Sequence, residues 1–464
     1  MLSKNYSFSL SISHLKSKSD NHQRVQEIFG VTDTQLNNRL IFKNITFLMH
    51  DVTYITGFSG SGKSTLVNLI KKDFPDAVIP TPPAKQDIPI IDLLDLELQE
   101  SMKILGWVGL GEAYLYLTPY SALSEGQKTR FLLAMALSRN PSIIIVDEFL
   151  SNLDRITAKV VAYSFQKICR KQEIHLIVAS AHNDLIEALA PDILIDLDLN
   201  GTHRITNRPI EKPFVPDISG VQVESGTIKD YEELKRFHYF GDEDLFVDNE
   251  FETEIFTIRL KEKCIGVSVM KSPYPKDWEE IDYFKDINDR IRCLVRLIIH
   301  PSFRTIGLSK LLMRPKFLDV PYIETRSALG LYMPIYLSGG YSRTELPDNK
   351  LSPLRQKLWN NLSFMGLSDV HLLRDDIYCE NFVQNLSGKQ KEALRYLALN
   401  VYVEMMVNNY IYFRSISKMI PLLPKEMDEL KEMFLDVSDE IPVTVLLQET
   451  SLFKMQGFVV QHKQ

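Results

Sequence analysis

Cysteine is scarce in this chain: only four occur among 464 residues, at Cys169, Cys264, Cys293 and Cys379, with no Cys-x-x-Cys pair and no histidine spacing suited to zinc. That excludes a disulfide scaffold or a structural zinc site and leaves four scattered thiols, expected to be buried. No run approaches the roughly 18 consecutive apolar residues that a membrane helix needs. An integral membrane protein is therefore excluded, and the expected address is cytoplasmic. The N-terminal residues lack a continuous apolar core and a small-residue cleavage site, so they read as ordinary chain. No internal repeat or low-complexity tract is present. What the chain does contain is 45% hydrophobic and 24% charged residues with a net charge of −7, the balance of a globular protein. Single cores stop growing at about 250–300 residues, so this length requires two or three domains.

Turn-forming residues interrupt the apolar periodicity twice, around residues 200–226 and 338–353. The resulting expectation is an α/β domain over 1–205, a linker over 206–226, an α+β domain over 227–345 and a helical region over 346–464. In the first domain, short β-branched runs (52–56, 143–146, 174–179) alternate with amphipathic ones (63–72, 125–139, 157–170), the pattern of a largely parallel sheet. The second has extended runs at 254–260, 265–270 and 293–299, then a helix from about Ile306. In the third, Leu394, Leu397, Ala398, Val401 and Met405, and Met427, Leu430, Met433 and Phe434 after Pro424, recur at helical spacing.

The segment GFSGSGKST, from Gly57 to Thr65, fits G-x-x-x-x-G-K-[ST] and stands between a β-rich run and a helix. Gly57, Gly60 and Gly62 let backbone N–H groups turn toward phosphate, and the helix start adds favourable partial charge. Ser59, Ser61 and Thr65 complete the cradle. Lys63 reaches the β- and γ-phosphates, and the Ser64 hydroxyl ligates Mg²⁺. Downstream, IIIVDEF puts Asp147 and Glu148 at the end of a buried strand. Asp147 suits the Mg²⁺ shell, and Glu148 suits the carboxylate that orients or deprotonates an attacking water.

Between these motifs stands LSEGQK, residues 123–128, and together they resemble the ATPase domains of the ATP-binding-cassette (ABC) superfamily. SNLD at 151–154, ending in Asp154, resembles that family's D-loop, and His182 in ASAH its switch histidine, though for that residue taken alone a buried structural histidine is the better reading. The resemblance implies ATP and Mg²⁺ as ligands. It further implies a homodimer in which Ser124 and Gly126 of one protomer cover the γ-phosphate held by Lys63 of the other, with Gln127 also among the nucleotide-binding residues. Gln86 is the candidate for the glutamine that watches the Mg²⁺, and Phe29 is either an adenine-stacking ring or core. Only 61 residues separate Lys63 from Ser124, shorter than in transporter ATPases, which counts against transport.

In the second domain, LVRLIIHPSFRTIGLSKLL (294–312) resembles the acetyl-CoA-binding motif of GNAT-type N-acyltransferases, with Arg304 and Gly307 shaping an anion loop and Ser309 where the family has Gly or Ala. YLSGGY, 336–341, resembles a signature near the end of such domains. It makes Tyr336 the candidate general acid, unless it is a half-buried aromatic. His238 is the candidate base, with Tyr239 beside it as an aromatic platform and Glu324 as an alternative. The combination resembles non-transport ABC ATPases fused to a GNAT-like, Mom-related domain, found in microbes and phage. That implies acetyl-CoA or another acyl-CoA as cofactor and a macromolecular acceptor, nucleic acid or protein, with DNA modification as one form. The other class of reading is a regulatory ATPase whose second domain binds without catalysing. Residues 290–316 carry seven basic and no acidic residues, which suits CoA phosphates, a nucleic-acid backbone or a solvated face.

Overall fold

The computed structural model describes residues 3–10, 19–32, 39–48, 50–238, 251–280, 282–346, 352–419, 423–451 and 456–462. Strands β1 (Ser3–Leu10) and β2 (Arg39–Leu48) pair antiparallel on either side of helix α1 (Asp20–Phe29). A five-stranded sheet follows, in the order β4-β5-β3-β6-β7, made of β3 (Val52–Gly57), β4 (Ile143–Val146), β5 (His175–Ala179), β6 (Ile193–Leu197) and β7 (His203–Asn207). β3 runs parallel to both its neighbours, and only β7 is antiparallel. Val52 to Thr56 are buried without alternation, as a central strand covered on both faces must be.

One face of this sheet is covered by α2 (Lys63–Asp73), which turns Leu66, Val67 and Ile70 inward, and by the β1–β2 ribbon through Phe42 and Ile45. On the other face lie α3 (Leu98–Trp107), α4 (Glu125–Ser138) and α5 (Arg155–Lys171), anchored by Phe131, Phe149 and Phe165. α3 and α4 belong to a helical insert between α2 and β4.

The second domain is one seven-stranded sheet, ordered β13-β14-β12-β11-β10-β9-β8. Its strands are β8 (Val223–Ser225), β9 (Thr253–Leu260), β10 (Lys263–Lys271), β11 (Ile291–Ile299), β12 (Tyr322–Ser327), β13 (Ser342–Thr344) and β14 (Gln456–Gln461). Helix α6 (Ile228–Leu234) covers one face and α7 (Leu308–Met313) the other. β11 and β12 are parallel but register over three pairs only, Ile291 to Cys293 against Tyr322 to Glu324. Beyond that point the Thr325 hydroxyl donates to the Leu294 carbonyl across the pair.

Two of the sequence boundaries need correction. Residues 206–226 are not a free linker: they finish β7, bury Val215 and Ile218, and enter the second sheet as β8. Nor is 346–464 a separate tail. The helices α8 (Pro353–Phe364), α9 (Asp376–Gln384), α10 (Gly388–Ile416), α11 (Pro424–Ser438) and α12 (Val443–Thr450) are inserted between β13 and β14, and β14 returns to pair with β12. A six-residue strand after a long helical stretch carries too little alternation to read from sequence, and its partner is more than a hundred residues away. Helix α10 is apolar on two sides: Leu394, Ala398 and Val401 pack among the helices, while Val407, Tyr410 and Phe413 cover the sheet. Tyr410, Tyr412 and Phe413 are therefore core, and Tyr402 packs within the helical cluster.

The domains meet along α5. Its Val160 is buried in the second domain's core, with Ile156 and Tyr163 beside it, and Leu329 and Met333 pack back against the first domain's core. Among the described residues no helix is long and apolar enough to cross a membrane, no group of histidines, cysteines and carboxylates is arranged to hold a metal, and all four cysteines are free.

Candidate nucleotide site

The parallel strands β4, β5 and β3 end side by side, and their carboxyl ends carry the motif residues. The turn after β3 runs through Gly57, Gly60 and Gly62, all at positive φ (135°, 83° and 97°). Gly57 and Gly62 also lack room for a side chain, since a Cβ would fall 2.1 Å from the Leu197 carbonyl oxygen in one case and 2.4 Å from the Ile41 side chain in the other. Glycine is thus required there both for backbone conformation and for close approach. α2 begins at Lys63 with no side-chain cap at Gly62, leaving its first N–H groups for a ligand.

Lys63 folds over this loop, its Nζ donating to the carbonyls of Gly57 (2.9 Å) and Phe58 (2.8 Å). Burial lowers its pKa, and Glu148 and Asp147 oppose that shift, so both carboxylates act on the lysine charge. The Ser61 hydroxyl is buried and has no hydrogen-bond partner, a polar atom that a phosphate oxygen would satisfy. Asp147 Oδ1 accepts from the Glu148 amide at 2.9 Å. Glu148 and Leu150 both sit at positive φ, 54° and 56°, a strained conformation of the kind that gathers at functional sites. Phe149 N–H, donating to the Ala179 carbonyl at 2.8 Å, pins this turn to β5. These groups fit a nucleotide phosphate, with Ser64 and Asp147 as hard oxygen donors for Mg²⁺.

His182 follows β5. Its carbonyl accepts from the fully buried Tyr54 hydroxyl at 2.6 Å, while its own residue is half-buried. Asn183, which sequence reasoning passed over, accepts from Thr56 Oγ1 at 2.5 Å and locks the same turn to β3. Asp154 N-caps α5 by accepting from Thr157 N at 3.0 Å. Burial pushes its pKa up, but the Thr157 hydrogen bonds outweigh that and hold it below the usual range.

Ser124 opens α4 through a reciprocal capping box: its Oγ accepts from Gln127 N (3.3 Å), and Gln127 Oε1 accepts from Ser124 N (2.9 Å). The Gln127 side chain is thus engaged in holding the helix start. Ser124 is exposed and Gly126 half-buried. Gln86 is exposed on a loop whose carbonyl accepts from Ser121 N at 2.9 Å. Phe29 ends α1 with 72% of its surface exposed, so it is not core.

In the second domain, Gly307 has a φ of 94° with open space where a Cβ would stand, and Ser309, half-buried, lies in the first turn of α7. Arg304 is turned away from that loop: its Nη1 lies 2.6 Å from Glu112 Oε1 of the first domain, and its Nε donates to the Ile299 carbonyl. Arg292 likewise pairs with Glu252 and Glu254. The basic run is therefore not one continuous anion surface, because carboxylates from distant segments meet it. Tyr336 packs between Tyr341 and Phe458 beside Thr325 and Ser327, and burial raises its pKa. Glu324 is 2% exposed and accepts from Arg326 (3.0 Å) and Tyr412 (3.3 Å). Alternation along β12 sets it on the face opposite Tyr336. Tyr239 lies outside the described residues.

His238 is pushed down to about 4 by burial, aided by Arg296, and His300 to about 4 by burial, aided by Lys263, Arg304 and Arg236. Both are therefore neutral at pH 7, the form a base requires. An unfolded chain protonates them near pH 6.5, so it binds more protons between the two values. Stability contributed by these sites is complete above about pH 6.5 and is lost as pH falls toward 4. The melting temperature is expected to drop over that window. A His238→Gln/His300→Asn variant should drop less steeply, and parallel curves for the two proteins would refute the assignment.

No family model matches the chain. Among curated proteins it is 30% identical over 182 residues to the cytochrome c biogenesis ATP-binding export protein CcmA of Reclinomonas americana, across 32% of this chain and 81% of that protein. It is 31% identical over 165 residues to the lipoprotein-releasing system ATP-binding protein LolD of Rickettsia prowazekii, across 34% and 68%. Against the zinc import ATP-binding protein ZnuC of Acinetobacter baylyi it is 33% identical over 141 residues, about half (53%) of that protein's length. Among solved structures, it aligns with a dimeric post-hydrolysis ATP-binding cassette bound to ADP and phosphate at 18% identity and a TM-score of 0.31, over 37% of this chain and 92% of that one.

Proposed function

Because the chain belongs to the ATP-binding cassette family of ATPases, we propose that two copies bind and hydrolyse Mg-ATP between them and use that cycle to control an acyltransferase-like second domain. The observation that carries the ATPase reading is the convergence of Lys63, the orphaned Ser61 hydroxyl, Asp147 and Glu148 at the carboxyl ends of the parallel strands. Lys63 and the loop N–H groups hold the β- and γ-phosphates. Ser64 and Asp147 would hold Mg²⁺, whose charge would offset that of the phosphates, and Gln86 is the further candidate ligand. Glu148 orients and deprotonates the attacking water, and His182 takes the γ-phosphate side of the site. Dimerisation is supported by the exposure of Ser124, whose helix start faces outward where a partner's nucleotide would meet Ser124, Gly126 and Gln127.

The acyl-transfer half is supported by the sheet itself. β11 and β12 register over three pairs only, and Tyr336 lies beside Thr325 and Ser327, past the end of that pairing. In this reading the Gly307 and Ser309 backbone receives the CoA pyrophosphate. His238 accepts the proton of an acceptor amine, and the Tyr336 hydroxyl donates one to the departing thiolate. The acceptor is a macromolecule, nucleic acid or protein. Equilibrium binding of labelled acetyl-CoA to the intact protein tests it: saturable binding below about 1 mM is expected, and none up to that concentration would remove acyl transfer. One observation favours a second reading, a binding domain without catalysis: the Arg304 guanidinium is already held by Glu112. Mass-spectrometric detection of an acylated product separates the two.

A further inference from the structure

The turn that follows β11 is tied to two different parts of the ATPase domain by adjacent residues. Arg304 bonds Glu112, in the helical insert, at 2.6 Å, and the Thr305 hydroxyl shares a 2.5 Å hydrogen bond with Ser164 of α5. The insert side leads directly to the signature segment. Arg130, one turn into α4, donates from Nε to the Gly126 carbonyl (3.3 Å) and from Nη1 to the Gly109 carbonyl (3.1 Å), three residues before Glu112. Glu112 is 5% exposed and Arg130 8%. The α5 side leads to Asp154, which caps that helix. Thr305 is held at a φ of 73°, and a β-branched residue persists there only where its surroundings over-determine it.

We propose that the 304–305 turn is a relay through which nucleotide-driven movement of the signature-bearing insert relative to α5 is delivered to the second domain. Neighbouring Cα atoms are fixed about 3.8 Å apart, and hydrogen bonds tolerate only a few tenths of an ångström. Any shift of the insert against α5 beyond that must break one of the two ties or drag the turn, and β11 with it. Reciprocity follows: whatever binds at residues 304–309 and displaces Glu112 must alter nucleotide affinity by the same factor. The relay rests on the ATPase reading, but not on acyl transfer.

Amide hydrogen exchange of the full-length protein, with and without Mg²⁺ and β,γ-imido-ATP, tests it, with nucleotide binding measured by calorimetry on the same samples. In the native sequence, exchange in peptides covering 300–313 should change about threefold or more on nucleotide binding. In Glu112→Gln that change should disappear while nucleotide affinity stays within about threefold. Should the uncompensated arginines unfold Glu112→Gln, Ser164→Ala, which removes a single hydroxyl tie, is expected to lose most of the response as well. Bound nucleotide without any change at 300–313, or a full change in Ser164→Ala and Glu112→Gln alike, overturns the relay. Absence of nucleotide binding overturns the ATPase reading beneath it, and calorimetry tells the two apart.

Discussion

Glutamine at position 148 is expected to slow ATP turnover by about 10²-fold or more while leaving nucleotide binding intact, the scale of loss seen when a positioned base is removed. The amide keeps the shape of Glu148 and its strained turn, pinned through Phe149 to β5, so the fold should be unchanged. What it loses is the charge that, in the proposed mechanism, would draw a proton from water. It also loses a repulsion, since Glu148 and Asp147 both bring negative charge to Lys63, where the phosphates would bind. Binding without hydrolysis should therefore accumulate a stable ATP-bound dimer. Phosphate-release assays read the rate, and sedimentation with saturating Mg-ATP reads the assembly. A Glu148→Gln protein that remained monomeric would end the sandwich reading; one that turned over at the normal rate would remove Glu148 from catalysis.

The second large effect falls on binding. Lys63 now rests on the Gly57 and Phe58 carbonyls and must leave them for phosphate. With alanine there, the triphosphate would enter a site that keeps the negative charges of Asp147 and Glu148 and has lost the lysine charge that faces them. Loss of a charge-stabilising group of this kind costs about 10²-fold or more, and Lys63→Ala is expected to lose nucleotide binding or turnover on that scale. The loop carbonyls can be hydrated instead, so thermal stability should hardly move. Calorimetric titration with ATP decides: an affinity within about threefold of the native protein's would place the phosphates elsewhere.

How much of this was legible beforehand depended on the distance over which each feature is encoded. The glycines of 57–62, Lys63 and the Asp147–Glu148 pair lie within a few residues of the strands and helices that hold them, so spacing alone located them. The capping box at Ser124 and Gln127 is equally local: the residue that the resemblance puts at a partner's nucleotide also closes the start of its own helix. The basic run at 290–316 is not one continuous anion surface, for the opposite reason. Glu112, Glu252 and Glu254 neutralise Arg304 and Arg292 from as far as 192 residues away, and no local count includes them. The same distance hid β14, whose pairing with β12 turns an apparent tail into an insertion.

A phosphate-loop motif, an acidic pair at a strand end and a signature segment in one chain are all legible from local sequence, because each is a short stretch whose backbone geometry follows from its own residues. Tertiary structure alone decided what the second domain's loop touches. Burial of Arg304 requires a carboxylate, and folding supplies one from the helical insert of the ATPase, so a motif that reads as a phosphate cradle is also the seam between the two domains. A long-range ion pair is chosen by which surfaces pack, and packing is fixed only when the whole chain has folded.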